Sequence, residues 1–188
     1  VYRYQALYGR LNYEYAEKYI LNFSGRRDGS SRFGKNKRFA EFGAVGAAWI
    51  FSKESMINKI DWLNFGKLRI SYGSSGNDHI GNYQYYDTYA SSNGSYNNFA
   101  GLAPSYLYND DFGWEITRKF ESAIDLILFK DRLKINAGWY KNISLEQLVG
   151  YPLPNTTGFA SIQSNLNARV VNKGLEFYFS HKNLNGKN

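Results

Sequence analysis

The sequence predicts an all-β chain, an antiparallel transmembrane β-barrel segment of about seven strands. Three observations carry that reading. Seven stretches alternate apolar and polar residues with period two, which places successive side chains on opposite faces of a strand. Short and long connections alternate between them, as in outer-membrane barrels with short turns on one side and long loops on the other. Tyr and Trp abound: of 188 residues 18% are aromatic, with 17 Tyr and 4 Trp, side chains suited to a surface that is apolar at one point and wet at the next.

Each element follows from its own pattern. The first strand, Arg3 to Tyr13, shows Leu7, Gly9, Leu11 and Tyr13 against Arg10 and Asn12; before Leu7 its register is ambiguous, because Tyr2, Tyr4 and Tyr8 have the opposite parity. Glu14 to Lys18 is a short connection. Tyr19 to Arg27 sets Tyr19, Leu21 and Phe23 against Asn22, Ser24 and Arg26, and the Gly- and Ser-rich stretch from Asp28 to Lys37 reads as a polar loop. Arg38 to Phe51 sets Val45, Ala47 and Trp49 against Ala44, Gly46 and Ala48. Ser52 to Leu63 is a longer connection that can hold one helical turn around Ser55-Met56-Ile57.

Asn64 to Gly73 sets Leu68, Ile70 and Tyr72 against Lys67, Arg69 and Ser71. Ser74 to Gly113 is a long loop, with some strand expected near Tyr83 to Tyr89. Phe120 to Leu128 and the return from Leu133 to Tyr140 form a hairpin across Phe129-Lys130-Asp131-Arg132. Its apolar face carries Phe120, Ile124, Leu126, Leu128, Leu133, Ile135, Ala137 and Trp139; its polar face carries Glu121, Asp125, Lys134, Asn136 and Tyr140. Ser144 to Asn167 is a further long loop. Ala168 to His181 sets Leu175, Phe177 and Phe179 against Asn172, Gly174 and Glu176. The three long loops are expected outside the cell. Glu14–Lys18, Ser52–Leu63, Lys130–Arg132 and Asn183–Gly186 are expected on the periplasmic side.

Composition narrows the alternatives. The mean hydropathy of -0.53 is compatible with a barrel, in which half of each strand faces a polar lumen. No apolar run reaches the length of a transmembrane helix; the longest, Ala44 to Phe51, contains Gly46. The chain has no cysteine, so disulfides and thiolate metal sites are excluded. The net charge of +7 is spread along the chain apart from one cluster, Arg26 through Arg38. That cluster suits a solvated loop or one facing lipopolysaccharide phosphates, and nucleic acid is not an expected partner. Val1 begins in mid-pattern, as expected of a piece of a longer protein.

Covalent chemistry finds no support. His79 lies in a long loop and His181 at a strand end, without the convergence a catalytic triad needs. Asn77-Asp78-His79 and Asn109-Asp110-Asp111 lack the spacing of a calcium loop and read as turn residues. Asp28-Gly29-Ser30-Ser31 matches no nucleotide-binding pattern. No enzyme activity, cofactor or metal is expected. The loop tyrosines Tyr83, Tyr85, Tyr86, Tyr89 and Tyr96, with Phe99, are candidate substrate- or lid-binding rings, since aromatic faces stack on sugar rings and peptide side chains.

Several segments are more specific than periodicity. Arg26-Arg27-Asp28-Gly29-Ser30-Ser31-Arg32-Phe33-Gly34 resembles a signature of the SusC/RagA family of TonB-linked outer-membrane transporters. Arg10-Leu11-Asn12-Tyr13, Leu68 through Asn77 with Tyr72, Gly73 and Gly76, and Trp114-Glu115 resemble further segments of that family. So do Leu153-Pro154 with Thr157-Gly158-Phe159, and Asn172-Lys173-Gly174-Leu175-Glu176. Phe42-Gly43-Ala44 departs where the family usually has proline, and Asn142 through Leu148 matches only loosely. The resemblance implies a slice of a 22-stranded barrel in a Bacteroidota-type outer membrane. It also implies import of glycans or peptides with a SusD-like lipoprotein lid, driven by the TonB complex through an N-terminal plug that is not in this sequence. A passive porin or adhesin barrel, and a soluble carbohydrate-binding β-sandwich, are the alternatives.

Overall fold

The computed structural model describes residues 1–96 and 99–183, with backbone alone over 92–100. Eleven strands form among these residues: β1 (Tyr4–Tyr15), β2 (Tyr19–Ser30), β3 (Phe39–Trp49), β4 (Leu63–Asn77), β5 (Thr88–Tyr96), β6 (Phe99–Tyr106), β7 (Glu115–Leu128), β8 (Leu133–Leu145), β9 (Gln147–Pro152), β10 (Ser161–Leu166) and β11 (Val170–His181). Seven of them make one antiparallel sheet in the order β1-β2-β3-β4-β7-β8-β11. The other four make two hairpins, β5-β6 and β9-β10, inside the long loops. The strands run past the expected ends: β2 extends to Ser30, and β7 begins at Glu115 rather than Phe120.

The register aligns the apolar residues into one continuous stripe. Tyr13 pairs with Leu21, Leu21 with Ala47 and Ala47 with Ile70. One level away, Leu68 faces Ile124, Ile124 faces Ala137 and Ala137 faces Phe177. Because side chains alternate with period two, this pairing sends the opposite set, including Asn22, Gly46, Arg69, Asp125, Asn136 and Glu176, to the other face. There the Arg69 guanidinium pairs with Asp125 at 2.9 Å, and Asn136 donates to the same carboxylate. The apolar stripe is bare: Ile70, Leu175, Phe177 and Phe179 are all exposed, while Leu128, beside the turn, is buried. The β-sandwich alternative required these faces to pack into a core, and they do not. The parity ambiguity in β1 also resolves: Tyr4 and Tyr8 join Arg10 and Asn12 on the polar face.

The short connections share one end of the sheet. Glu54, between β3 and β4, accepts hydrogen bonds from Lys18 Nζ (3.1 Å), the Tyr19 hydroxyl (2.8 Å) and Trp49 Nε1 (3.2 Å), so it clasps the β1–β2 turn. These bonds hold its carboxyl below the usual carboxylate range, the Tyr19 bond foremost. The β7–β8 turn places Phe129, Lys130 and Asp131 in the left-handed region, and the Lys130 N–H donates to Asn64 Oδ1 at 2.8 Å. The expected helical turn lies close to its place. A 3₁₀ turn covers Phe51–Lys53, and the Asn58 N–H reaches the Glu54 carbonyl at 2.8 Å.

The strand expected near Tyr83 to Tyr89 is displaced. Tyr83 adopts a left-handed φ of 64°, the Tyr86 N–H closes a turn on the Tyr83 carbonyl, and β5 begins at Thr88. The alternating Tyr83, Tyr85 and Tyr89 mimic a strand locally, but burial of the Tyr85 ring holds the backbone in a turn. Of the expected Asn183–Gly186 turn, only Asn183 falls within the described residues.

This register predicts lipid access. In the full-length protein, a spin label at Leu126 should meet lipid-soluble quenchers and one at Asp125 should not. Ile70→Arg should destabilise the folded barrel by about 2 to 4 kcal/mol in urea titrations in lipid vesicles. Equal quenching at the two labels would overturn the register.

Candidate functional site at the long-loop end

The other end of the sheet is capped by a small core assembled from the long connections. β2 carries the Arg26–Gly34 segment to the sheet rim. Asp28 is buried with its carboxylate 2.8 Å from Arg26 Nη2, and Arg26 also donates to the Tyr4 hydroxyl at 2.9 Å. Arg27, one residue on and facing the other way, sits over the Phe39 ring and 3.9 Å from Glu41. The chain then turns at Ser31, whose Oγ accepts from the Arg3 N–H (2.9 Å) while its own N–H reaches the Arg3 carbonyl.

Asp78, the first residue after β4, joins this turn to the longest loop. Its Oδ2 accepts from Ser30 Oγ at 2.7 Å and from the Tyr2 hydroxyl at 2.8 Å. The Arg32 guanidinium lies over the Tyr2 ring at 4.2 Å, donates to the Asp78 carbonyl at 2.9 Å and approaches the carboxylate at 3.9 Å. The loop is thus tied to two strands at its root. The His79 backbone N–H closes a turn on Asn77 Oδ1 at 2.9 Å.

Phe33 lies at the centre of the core, fully buried, with its ring centroid 5.1 Å from Trp114 and 6.0 Å from Phe112. Phe42 meets Trp114 edge-on at 5.8 Å, and Tyr85 closes the cluster. The Trp114 indole N–H donates to the Arg38 carbonyl at 3.2 Å, so this buried ring leaves no donor unmet. Two glycines are required by close approach. A Cβ at Gly76 would stand 2.1 Å from the Phe42 ring, and one at Gly34 would stand 2.6 Å from Asp110 Oδ1.

The β9-β10 hairpin is bolted to the same core. Asn165 Oδ1 accepts from the Gly113 N–H at 2.8 Å and its amide returns a bond to the Gly113 carbonyl at 2.9 Å. Asn109 Nδ2 donates to the Gln163 carbonyl at 2.7 Å. Sequence reasoning missed Asn165, for which no local signal exists, and treated Asp78 only as a turn residue or weak cation ligand. Phe42, Phe112 and Trp114 belong to no shared periodicity, although Trp114-Glu115 stood out as a motif.

The candidate binding rings separate on this scaffold. Tyr83 (49% exposed), Tyr86 (41%) and Tyr89 (60%) present ring surface to solvent, whereas Tyr85 is 5% exposed. The Tyr85 and Tyr86 ring centroids lie 4.1 Å apart with their planes tilted by 34°. Burial, with the neighbouring Tyr86 hydroxyl, pushes the Tyr85 phenol up to about 12. The side chains of Tyr96 and Phe99 lie outside the described residues. Tyr72 and Lys173 lie on the apolar face, while Gly73, Asn172, Gly174 and Glu176 lie on the polar one, so these motif residues sit in the wall, whereas Gly76 and Trp114 meet the core.

Two outcomes are expected. Phe33→Ala should cost the loop core about 3 to 5 kcal/mol, visible as faster protease cleavage of the long loops in the full-length protein while the wall strands stay protected. Because the Tyr85 phenol is raised, its contribution to stability is complete below pH 10.0, its ordinary value, and is lost as pH rises toward about 12. Tyr85→Phe should remove that loss, measured as the difference between variant and parent in melting temperature across this range.

A family model described as TonB dependent receptor-like, beta-barrel matches residues 1–187. Over 177 residues the chain is 38% identical to the TonB-dependent receptor P39 of Formosa agariphila, covering 94% of this chain and 17% of that protein. It is 26% identical to the TonB-dependent receptor SusC of Bacteroides thetaiotaomicron, over 93% of this chain and 18% of SusC. Among solved structures, the RagAB peptide importer in its closed-closed state superposes with a TM-score of 0.92 at 30% identity, covering 99% of this chain and 20% of that one. The siderophore receptor PirA of Pseudomonas aeruginosa, at 18% identity and a TM-score of 0.60 over 94% of this chain and 30% of PirA, shares the fold. The chain therefore spans about a fifth of the length of the SusC- and RagA-type proteins it matches. With a bare apolar stripe on one face, a polar wall on the other and a family match from end to end, it belongs to the TonB-dependent receptor β-barrel family of the outer membrane, in its SusC/RagA branch.

Proposed function

We propose that this chain supplies seven wall strands and three outer loops to a TonB-dependent transporter that imports glycans or peptides with a SusD-like surface lipoprotein. The plug and the segment that engages the TonB complex belong to the remainder of that protein. The role involves no covalent chemistry. The observation that carries the reading is the loop platform: a buried aromatic core, clamped by Asp78 and Asn165, that holds Tyr83, Tyr86 and Tyr89 with their rings in solvent. Likeness to the RagAB peptide importer at 30% identity supports it. The Arg27–Phe33 segment is assigned the positioning of this platform, and Tyr85 leaves the binding set because its ring is covered.

Exposed aromatic rings on a rigid base bind with little ordering cost, which favours them as contacts for a sugar ring, a peptide side chain or the lid protein. In the full-length transporter, Tyr83→Ala/Tyr86→Ala/Tyr89→Ala should lower uptake or lipoprotein capture at least several-fold, with barrel assembly unchanged. Deleting 91–98, the Gly-, Ser- and Asn-rich stretch of the longest loop, should have the smaller effect. Uptake is scored separately with labelled oligopeptides and oligosaccharides. Parental uptake of both and parental lipoprotein binding by the triple variant would refute the binding role.

A further inference from the structure

Charge on the apolar face is confined to one rim. Across the seven wall strands, the outward side chains between the turns and this rim are uncharged, and at the rim stand Arg27, Glu41, Arg118, Lys141 and Lys173. Arg27 is compensated by Glu41 and by the Phe39 ring. Two further cations of the Arg26–Arg38 cluster are engaged internally, Arg26 by Asp28 and Arg32 by Asp78. Arg118, Lys141 and Lys173 have no such partner among the described residues.

These three cations form one patch. Lys141 and Lys173 are direct cross-strand partners on β8 and β11. Arg118 on β7 pairs with Ile143, the next outward residue of β8, and so lies diagonal to Lys141. No outward residue of β4, β7, β8 or β11 is acidic. Like charges directly opposite each other on a sheet destabilise it unless an anion lies between them. Below the patch the face is apolar and aromatic: Phe120 pairs with Lys141, the Phe120 and Trp139 rings are 5.4 Å apart, and Leu175 and Phe177 continue down β11. From Leu133 near the turn up to Lys141, at about 3.4 Å per residue and a strand tilt of ~40°, the height is roughly 20 Å. Long Lys and Arg stems carry their charges further, to the edge of an apolar band about 25 Å tall.

We infer that Arg118, Lys141 and Lys173 form a binding site for the phosphorylated headgroup of an outer-leaflet lipid, whose acyl chains lie along Trp139, Leu175 and Phe177. The complementarity is twofold: three uncompensated cations where the headgroup phosphates lie, and an uncharged apolar wall where the chains lie. The site is independent of the binding role of the loop tyrosines.

The test uses the full-length receptor, stripped of lipid in non-ionic detergent and titrated with purified bis-phosphorylated lipid A by native mass spectrometry. Each cation near an anionic lipid surface contributes about fivefold. Arg118→Gln/Lys141→Gln/Lys173→Gln should therefore bind on the order of a hundredfold more weakly. The parent should show a comparable preference for lipid A over its dephosphorylated form, and Lys141→Arg/Lys173→Arg should retain binding. Heat-modified gel migration reports folding. If the triple variant does not fold, Lys141→Gln and Lys173→Gln singly should each weaken binding several-fold. Unchanged affinity in the folded variants, or no preference for the phosphorylated lipid, overturns the site. So does displacement of lipid A by millimolar inorganic phosphate, which would mark a free-anion site, or loss of a co-purifying protein with lipid binding intact.

Discussion

Everything in this chain hangs on one constraint: in a bilayer, each backbone N–H and C=O of a wall strand must be met by a neighbouring strand, because no water is present to meet it. The ladder β1-β2-β3-β4-β7-β8-β11 provides this for the interior strands. Because the side-chain period is two, a slip of one residue in any pairing would send an apolar set to the polar wall and a charged set into lipid. The pairing of Leu68 with Ile124 and of Lys67 with Asp125 is one decision seen on two faces. The Arg69–Asp125 pair and its Asn136 contact follow from the same register, since they bring three adjacent strands together on the polar side.

The two ends of the sheet meet this constraint differently. At the short-turn end the connections have little room for a core, and single side chains hold them. Glu54 accepts three hydrogen bonds across the β1–β2 and β3–β4 connections, and Asn64 supports a turn of left-handed residues. At the long-loop end the connections are long enough to bury aromatic rings. Phe33, Phe42 and the Phe112–Trp114 pair come from three segments, and polar clasps by Asp78 and Asn165 tie the loops around them together. A fixed platform lets the remaining rings stay exposed without collapsing onto their own loop. That division between covered and uncovered rings is what makes Tyr86 and Tyr89 suitable as contacts and Tyr85 unsuitable.

Charge follows the same geometry. On the polar wall and in the loops several charged groups are paired within the chain: Arg69 with Asp125, Arg26 with Asp28 and Arg32 with Asp78. Three cations at one rim of the lipid-facing side have no ion-pair partner among the described residues. Three cations of the Arg26–Arg38 cluster, conspicuous in the sequence, are paired with Asp28, Glu41 and Asp78. The less conspicuous Arg118, Lys141 and Lys173, scattered along the chain, are brought together by pairing alone.

The sequence by itself determined the seven wall strands, their two faces and the family, because period-two alternation and contiguous motifs are local properties that need no knowledge of contacts. Leu126 and Asp125 are assigned to opposite faces by adjacency, and Arg26 through Gly34 is legible as a unbroken string. Only the tertiary structure decided what the loops do. Asn165 clasps Gly113 across 52 residues and Ser30 meets Asp78 across 48, separations that no spacing rule encodes. The alternating Tyr83 to Tyr89 resembled a strand until the aromatic cluster drew Tyr85 inward, and burial then outweighed a weak local preference. The paired Lys141 and Lys173 became neighbours for a like reason, since which strands pair is settled by the whole sheet and by no single segment.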